Sequence, residues 1–162
     1  MLVGIVGDTH NNLKNISKIC NIFNSENVNL VLHTGDITLP KSLMAFKDLK
    51  CKLIAVFGNN DVGEKNGLKK ISKQLNFCIN DEPYNLDIEN TRICLLHHPE
   101  LISDSLIDQS DIILHGHTHR YRNEIIKNTL IFNPGECAGF MPNKNQVGIL
   151  DLSNNSPRIV NF

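Results

Sequence analysis

The sequence predicts an α/β fold whose first half is a parallel sheet covered by helices. Apolar runs at residues 2–6, 29–33 and 52–57 alternate with segments of helical spacing, an order typical of parallel strands joined by crossover helices. The later apolar runs are shorter and are separated by turn residues, which favours hairpins. Polar residues of the kind that bind metals follow several of these runs, which places a ligand site at the ends of the strands.

Helices are predicted at three places in the first half. Residues 11–27 carry apolar residues at intervals of three and four, which indicates a helix with one buried face. Residues 39–49 are a less regular candidate, with Pro40 near the start, where proline is well tolerated. Residues 63–75 are rich in lysine, so we expect a partly exposed helix there.

The second half is predicted to contain mainly hairpins and short strands. One or two helical turns are expected over residues 102–108, and a buried strand over 111–114. No linker or repeat interrupts the pattern, so we expect residues 1–162 to form one domain. The remaining strand candidates are residues 77–79, 84–88 and 92–96, expected as hairpins, and residues 124–126, 130–132, 146–152 and 158–160, expected as antiparallel strands.

Composition excludes several classes of protein. Hydrophobic residues make up 41% and charged residues 20% of the chain, which argues against disorder. A net charge of −1 gives no electrostatic basis for a strong nucleic-acid or membrane surface. The five cysteines are scattered without a Cys-x-x-Cys pair, which argues against a disulfide framework. The apolar run at the N-terminus is too short for a signal peptide, and we expect a cytoplasmic protein without a membrane span.

Metal-ligand residues follow five apolar runs. Imidazole and carboxylate together suit manganese, iron, nickel, cobalt or zinc better than calcium. The set is too large for one tetrahedral ion, and it fits two ions that share a carboxylate. Singly these signals are weak, because an Asp after Gly is usually a turn residue or helix cap and a lone histidine is more often structural. The candidate ligands are Asp8, His10, Asp36, Asn59, His97, His117 and His119.

These residues lie in motifs that resemble a known superfamily. The motifs are Gly7-Asp8-Thr9-His10, Gly35-Asp36, Gly58-Asn59-Asn60-Asp61, His97 and Gly116-His117-Thr118-His119. Their order resembles that of the calcineurin-like metallophosphoesterases, and the chain is most similar to the small single-domain phosphodiesterase branch. The similarity runs from residue 3 to at least residue 135.

The resemblance implies a four-layer α-β-β-α sandwich with mixed sheets and two metal ions at the strand ends. It implies that Asp8, His10 and His119 bind the first ion. The second ion would be bound by Asn59, His97 and His117. Asp36 would bridge the two ions, so it is also a catalytic candidate.

Two residues depart from the family pattern near the predicted site. Asn60 stands where larger members carry a histidine, and an amide cannot act as a general acid. His98 stands where a glycine commonly follows the metal-binding histidine. His98 is therefore a candidate replacement acid or phosphate contact, with an ordinary loop histidine as the alternative. Both residues complete the set of catalytic candidates with Asp36.

The predicted function is hydrolysis of small phosphodiesters by a hydroxide that bridges two divalent ions, with manganese or nickel preferred. The resemblance also allows a homo-oligomer. One alternative is a metal-poor interaction scaffold related to the retromer subunit of this fold. The other is a nuclease, which the weak basic character of the chain disfavours.

Other polar residues in the motifs are interpreted as structural. His33 and His115 are expected to form hydrogen bonds in the core or to the ligands. Asp61 is expected to be a turn or helix-capping residue rather than a base, and Glu136 is assigned no role.

Overall fold

The computed structural model describes residues 1–162 and contains eleven strands and four α-helices. The helices are α1 (Leu13–Ser25), α2 (Pro40–Met44), α3 (Lys65–Gln74) and α4 (Asp104–Gln109). The strands are β1 (Leu2–Val6), β2 (Leu30–His33), β3 (Lys52–Val56), β4 (Cys78–Asn80), β5 (Tyr84–Ile88), β6 (Thr91–Leu95), β7 (Ile112–Leu114), β8 (Arg122–Ile126), β9 (Thr129–Asn133), β10 (Gln146–Asp151) and β11 (Ser156–Asn161).

The strands form two mixed sheets. The first has the order β11-β10-β1-β2-β3-β4, in which β1 to β4 are parallel and β10 runs antiparallel to β1. The second has the order β5-β6-β7-β9-β8, with β6, β7 and β9 parallel and both edge strands antiparallel. Mixed sheets with helices agree with the predicted α/β class.

Three apolar clusters separate four layers. The middle cluster lies between the sheets and joins residues such as Val3 and Ile5 of β1 to Leu114 and Phe132 of the second sheet. The largest cluster packs α1 and neighbouring segments on the outer face of the first sheet. The third packs Ile107 of α4 on the second sheet. Because each cluster is an interface between two layers, the predicted α-β-β-α sandwich is confirmed.

The helices follow the predicted segments with shorter bounds. Asn12 caps α1 by accepting the N–H of Asn15 at 3.1 Å, which explains why α1 starts two residues after the predicted boundary. The segment predicted at residues 39–49 divides into α2 and the 3₁₀ helix Ala45–Asp48. A second 3₁₀ helix, Asn59–Glu64, precedes α3.

The prediction that residues 77–79 form a hairpin strand is wrong. Strand β4 instead pairs in parallel with β3, and α3 is the crossover between them. Helix α3 returns the chain to the start of the sheet, so the next strand runs in the same direction. Strands β5 and β6 do form the predicted hairpin, with Tyr84 opposite Leu95. The turn residues after β4 mark the change from the first sheet to the second.

Two expectations from composition can be compared with the structure. All five cysteines are free, which agrees with their scattered spacing. None of the helices combines the length and the apolar character that crossing a membrane requires.

Candidate metal centre

Every predicted ligand lies shortly after the end of a strand, either in a loop or, for Asn59, at the start of the 3₁₀ helix Asn59–Glu64. The loops after β1, β2 and β3 belong to the first sheet, and those after β6 and β7 to the second. The carboxyl ends of these parallel strands therefore form one site across both sheets. The ligands are Asp8 and His10 after β1, Asp36 after β2, Asn59 after β3, His97 after β6, and His117 and His119 after β7.

Most of these loops hold their ligands in the left-handed backbone region. This region costs an L-residue about 1–2 kcal/mol, and such strain is concentrated at functional sites. Backbone hydrogen bonds stabilise it, as when Asp8 N–H donates to the Gly35 carbonyl at 2.9 Å. The five residues are Asp8 (φ 53°), His10 (45°), Asp36 (57°), His117 (69°) and His119 (54°).

Asp61 joins the loops after β2 and β3. Its buried carboxylate accepts the backbone N–H groups of Asp36 at 3.0 Å, Thr38 at 2.6 Å and Gly58 at 2.8 Å. Asp61 thus fixes the backbone of the predicted bridging ligand, as expected of a turn or capping residue. Gly58 packs so closely that a Cβ there would lie 2.2 Å from Asp36 Oδ1.

One group of ligand atoms surrounds Asp8, His10 and His119. His119 Nε2 lies 3.6 Å from Asp8 Oδ1 and 3.4 Å from His10 Nε2. His10 Nε2 lies 4.0 Å from Asp36 Oδ2. Metal–ligand bonds of about 2.0–2.2 Å place neighbouring ligand atoms about 3–3.6 Å apart around one ion. The two distances from His119 Nε2 fit a shared cation, and Asp36 Oδ2 lies slightly outside this range from His10.

A second group contains Asn59, His97 and His117. Asn59 Oδ1 lies 3.0 Å from both His97 Nε2 and His117 Nδ1, and the two nitrogens are 3.2 Å apart. His97 Nε2 lies 3.6 Å from Asp36 Oδ1. Asp36 thus directs Oδ2 towards the first group and Oδ1 towards the second.

In His97 and His119, a hydrogen bond at Nδ1 selects the tautomer that leaves Nε2 able to bind a metal. His97 Nδ1 lies 2.9 Å from the Thr34 carbonyl, which can only accept, so Nδ1 carries the proton and Nε2 keeps its lone pair. His119 Nδ1 contacts the Glu136 carboxylate, which leaves its Nε2 free. Burial lowers the pKa of His10 and His97, which favours the neutral, ligand form.

The site contains buried negative charge that no lysine or arginine neutralises. Asp8, Asp36 and Glu136 are 0%, 2% and 1% exposed, and their only ion-pair partners are histidines. Burial raises the pKa of Asp8 to about 7, although His119 opposes the shift. Since buried carboxylates are costly without a positive partner, the donor set fits bound cations.

Sequence reasoning missed Glu136. Its Oε2 accepts from His119 and its Oε1 accepts the N–H of Phe140 at 2.9 Å. Burial opposes ionisation of Glu136, but these hydrogen bonds hold its pKa below the usual range. The hydrogen bond between the two side chains also raises the pKa of His119. A carboxylate at the end of a strand beside the site was the available signal, since ligating histidines often donate to one.

Asn60 and His98, the two residues that depart from the family pattern, both lie next to the candidate ligands. Asn60 donates its backbone N–H to Asp36 Oδ1 at 2.9 Å and its amide to Asp36 Oδ2 at 2.7 Å. The ring centroid of His98 lies 4.8 Å from that of His117. His98 Nδ1 contacts Glu82, another carboxylate that sequence reasoning missed, and Glu82 also accepts the His97 N–H at 2.6 Å.

The other two histidines are buried in the core. His33 Nε2 forms a hydrogen bond with Thr9 Oγ1 at 2.9 Å, and burial lowers the pKa of His33 to about 3. His115 Nδ1 lies 3.1 Å from the Gly116 carbonyl, and burial lowers its pKa to about 4. Hydrogen bonding within the core is what the sequence predicts for both.

Comparison with known proteins identifies the family. A model of the calcineurin-like phosphoesterase superfamily domain matches residues 1–155. The chain belongs to this superfamily. Phosphodiesterase MJ0936 of Methanocaldococcus jannaschii is 37% identical over 155 residues, which are 93% of each protein. The solved structure of an archaeal phosphodiesterase superimposes with a TM-score of 0.93 at 35% identity and covers all of both chains.

Superfamily membership makes the chain a hydrolase of phosphoesters. The fold is also found in Vps29 of Entamoeba histolytica, with a TM-score of 0.70 at 20% identity over 100% of this chain and 99% of that one. At that identity the likeness extends to the fold alone.

Proposed function

We propose that this phosphoesterase is a dinuclear metal-dependent phosphodiesterase that hydrolyses small phosphodiesters. The position of Asp36 carries the proposal, because its two oxygens face separate ligand groups at 3.6 and 4.0 Å. The name of the M. jannaschii relative, at 37% identity, supports a diester rather than a monoester substrate. Imidazole and carboxylate donors favour manganese or nickel, with iron, cobalt or zinc as alternatives.

Each residue of the site has a role in this proposal. Asp8, His10 and His119 would hold one ion, and Asn59, His97 and His117 the other, with Asp36 between them. The ions would supply a shared hydroxide as nucleophile and positive charge for the phosphate oxygens. Asn60 orients Asp36 through the 2.7 Å hydrogen bond that its side-chain amide donates to Asp36 Oδ2. No side-chain nucleophile is required, and His98 is left to protonate the leaving oxygen.

The strain in the ligand loops favours catalysis over an interaction scaffold. Five ligands adopt a backbone conformation that costs about 1–2 kcal/mol each, and three carboxylates are buried without a lysine or arginine partner. A scaffold gains nothing from that cost, whereas bound cations offset it. The net charge of −1 likewise disfavours a nuclease, because binding to nucleic acid depends on neutralising phosphates.

The proposal extends to the setting of the enzyme. Five free cysteines suit a reducing cytoplasm. The substrate would be a small diester rather than a polymer, and the resemblance to the phosphodiesterase branch allows assembly as a homo-oligomer.

Metal analysis combined with a substrate panel tests the proposal. Protein loaded with manganese or nickel should contain two ions per chain and should hydrolyse bis-p-nitrophenyl phosphate faster than p-nitrophenyl phosphate. Asp36→Asn should weaken both sites and abolish turnover, since one shared charge is lost. His119→Ala should mainly empty the first site and His97→Ala the second.

Asp87→Asn is the matched control, because Asp87 is exposed on strand β5. It should keep both ions and full activity. Two ions and full turnover in Asp36→Asn would refute the bridging role. A metal-loaded wild type that hydrolyses neither ester would refute the proposed function.

A further inference from the structure

A hollow of about 450 Å³ borders the first ligand group through His119. Its volume lies within the range of about 300–1,000 Å³ typical of small-molecule sites. Arg120, Tyr121, Met141, Lys144 and Ile159 are among its lining residues. A group bound here would lie beside the proposed position of the reacting phosphate.

The hollow is positively charged. Neither Arg120 nor Lys144 forms an ion pair or donates a side-chain hydrogen bond within the chain. Glu136 is the only carboxylate in the lining. Both of its oxygens are already bonded, to His119 and to the Phe140 N–H. Two cations without partners in one hollow indicate an anionic ligand.

The lining also contains the large side chains of Tyr121, Met141 and Ile159, together with the amides of Gln146 and Asn161. Tyr121 is 53% exposed and Met141 39% exposed, both unusually accessible for large apolar side chains. The exposed Phe140 ring is not part of the lining, but it lies next to the hollow, 5.5 Å from the ring of His119. Clustered exposed apolar residues mark binding surfaces, and aromatic faces suit the base or sugar of a nucleotide.

We propose that this hollow binds one arm of the phosphodiester and that Arg120 and Lys144 recognise a second phosphate on that arm. The substrate class is then a nucleotidic phosphodiester that carries an additional phosphomonoester. A phosphate fits better than a carboxylate, because it offers oxygens to a guanidinium and an ammonium together. This inference rests on the proposed function, since it assigns the substrate of the same site.

Two probes with one leaving group test the inference. They are thymidine 5′-(p-nitrophenyl phosphate) and the same ester with a 3′-phosphate. The manganese-loaded enzyme should hydrolyse the 3′-phosphorylated probe with a kcat/KM higher by about 10-fold or more, mainly through KM, as charged hydrogen bonds provide. Arg120→Met and Lys144→Met should each move the ratio of the two kcat/KM values towards one.

Lys47→Met is the matched control, because Lys47 is an exposed lysine of the 3₁₀ helix Ala45–Asp48 outside the hollow. It should keep the ratio of wild type. Calorimetry gives a readout that does not need turnover. Thymidine 3′,5′-bisphosphate should bind more tightly than thymidine 5′-monophosphate, and the Arg120→Met/Lys144→Met double variant should abolish the difference.

Equal kcat/KM values for the two probes in wild type would overturn the anion subsite and leave the proposed function intact. An unchanged ratio in both single variants would overturn it as well. If the metal-loaded enzyme hydrolyses neither probe, the proposed function fails, and the calorimetric difference still decides the subsite. Equal affinities in that experiment would refute it.

Discussion

The imidazole of His119 is oriented by Glu136, whose buried carboxylate accepts a hydrogen bond from Nδ1–H, so that Nε2 is directed at Asp8. We predict that Glu136→Gln lowers the affinity of the first metal site by about 10–100-fold, the usual effect of removing a partner of a ligating histidine. Glutamine keeps the shape and can still accept a hydrogen bond, so the fold should persist. Metal titration followed by calorimetry should resolve a weakened first site and an unchanged second site.

Glu124→Gln is the control for this change, because Glu124 is exposed on β8 and pairs with Arg122. It should leave both affinities at the wild-type values. If Glu136→Gln also leaves them unchanged, Glu136 does not position His119.

His98 has the geometry of a proton donor, since Glu82 holds its Nδ1 and leaves Nε2 free beside His117. We predict that His98→Ala slows hydrolysis of alkyl phosphodiesters by about 10²–10⁴-fold, the usual contribution of a general acid. Aryl phosphodiesters should be slowed much less, because a nitrophenolate leaves without protonation. Rates across a series of leaving groups, with both metals verified as bound, measure the effect.

If Glu82 orients His98, Glu82→Gln should also slow hydrolysis of alkyl phosphodiesters, but by less than His98→Ala does. Equal slowing of alkyl and aryl esters in His98→Ala would show that His98 acts other than as the acid. Adding Asn60→His to the His98→Ala variant should partly restore hydrolysis of alkyl phosphodiesters if the new imidazole reaches the leaving oxygen.

At this scale the sequence indicates the candidate ligands but not the carboxylates that contact them. Each candidate ligand lies a few residues after the end of a strand, so a local pattern reveals it, as with Asp8 after β1. Glu136 and Glu82 act on histidines 17 and 16 residues away, across different loops. Their role depends on how the loops pack, which spacing does not encode.

At the scale of elements, the turns after β2 and β3 must approach each other closely enough to place Asp36. A Cβ on Gly58 would lie 2.2 Å from Asp36 Oδ1 and 2.5 Å from Asp36 N, so Gly58→Ala must displace the Asp36 loop. We predict loss of bound metal and of activity in Gly58→Ala, with the secondary structure retained. Metal content and circular dichroism measure the two effects separately.

Gly63→Ala is the matched control for this substitution. Gly63 lies in the 3₁₀ helix Asn59–Glu64, which begins directly after Gly58, and a Cβ there would meet nothing within 4 Å. It should therefore keep wild-type metal content and turnover. Full metal loading in Gly58→Ala would mean that the loop adapts and that close packing at Gly58 is not needed.

Strand β4 shows where element patterns stop being informative. Turn-forming residues follow it, but they do not reveal whether the next strand stays in the same sheet. Strand β4 adds to the parallel sheet beside β3, and β5 begins the second sheet. That choice depends on which apolar faces become buried together, a property of the assembled layers.

At the scale of the whole molecule, the two sheets are held together by apolar contacts that do not involve the site. The middle cluster includes fully buried Phe132, and alternation along β1 predicts which side chains enter it. The pairing of β1 with β10, nearly the whole chain apart, is not predictable from local pattern. The site depends on that assembly, because its ligands come from both sheets.

Metal removal should therefore destabilise the protein without unfolding it. When the free metal concentration is about 100 times the Kd of a site, binding adds about 2.7 kcal/mol to the free energy of unfolding. At this chain length each kcal/mol corresponds to about 2–4 °C in Tm. We predict that chelation lowers Tm by about 10–20 °C for two such sites, that manganese restores it, and that circular dichroism still reports the folded sheets.

Two variants separate the contribution of the metals from that of the core. Phe132→Ala should cost about 3–5 kcal/mol with or without metal, because Phe132 belongs to the cluster between the sheets. Asp36→Asn should lower Tm only in the metal-loaded protein. Without metal it should be neutral or stabilising, since it removes a buried charge that no lysine or arginine balances. An equal loss of Tm in both states for Asp36→Asn would mean that Asp36 supports the fold directly, and the stability attributed to metal binding would have to be reassigned.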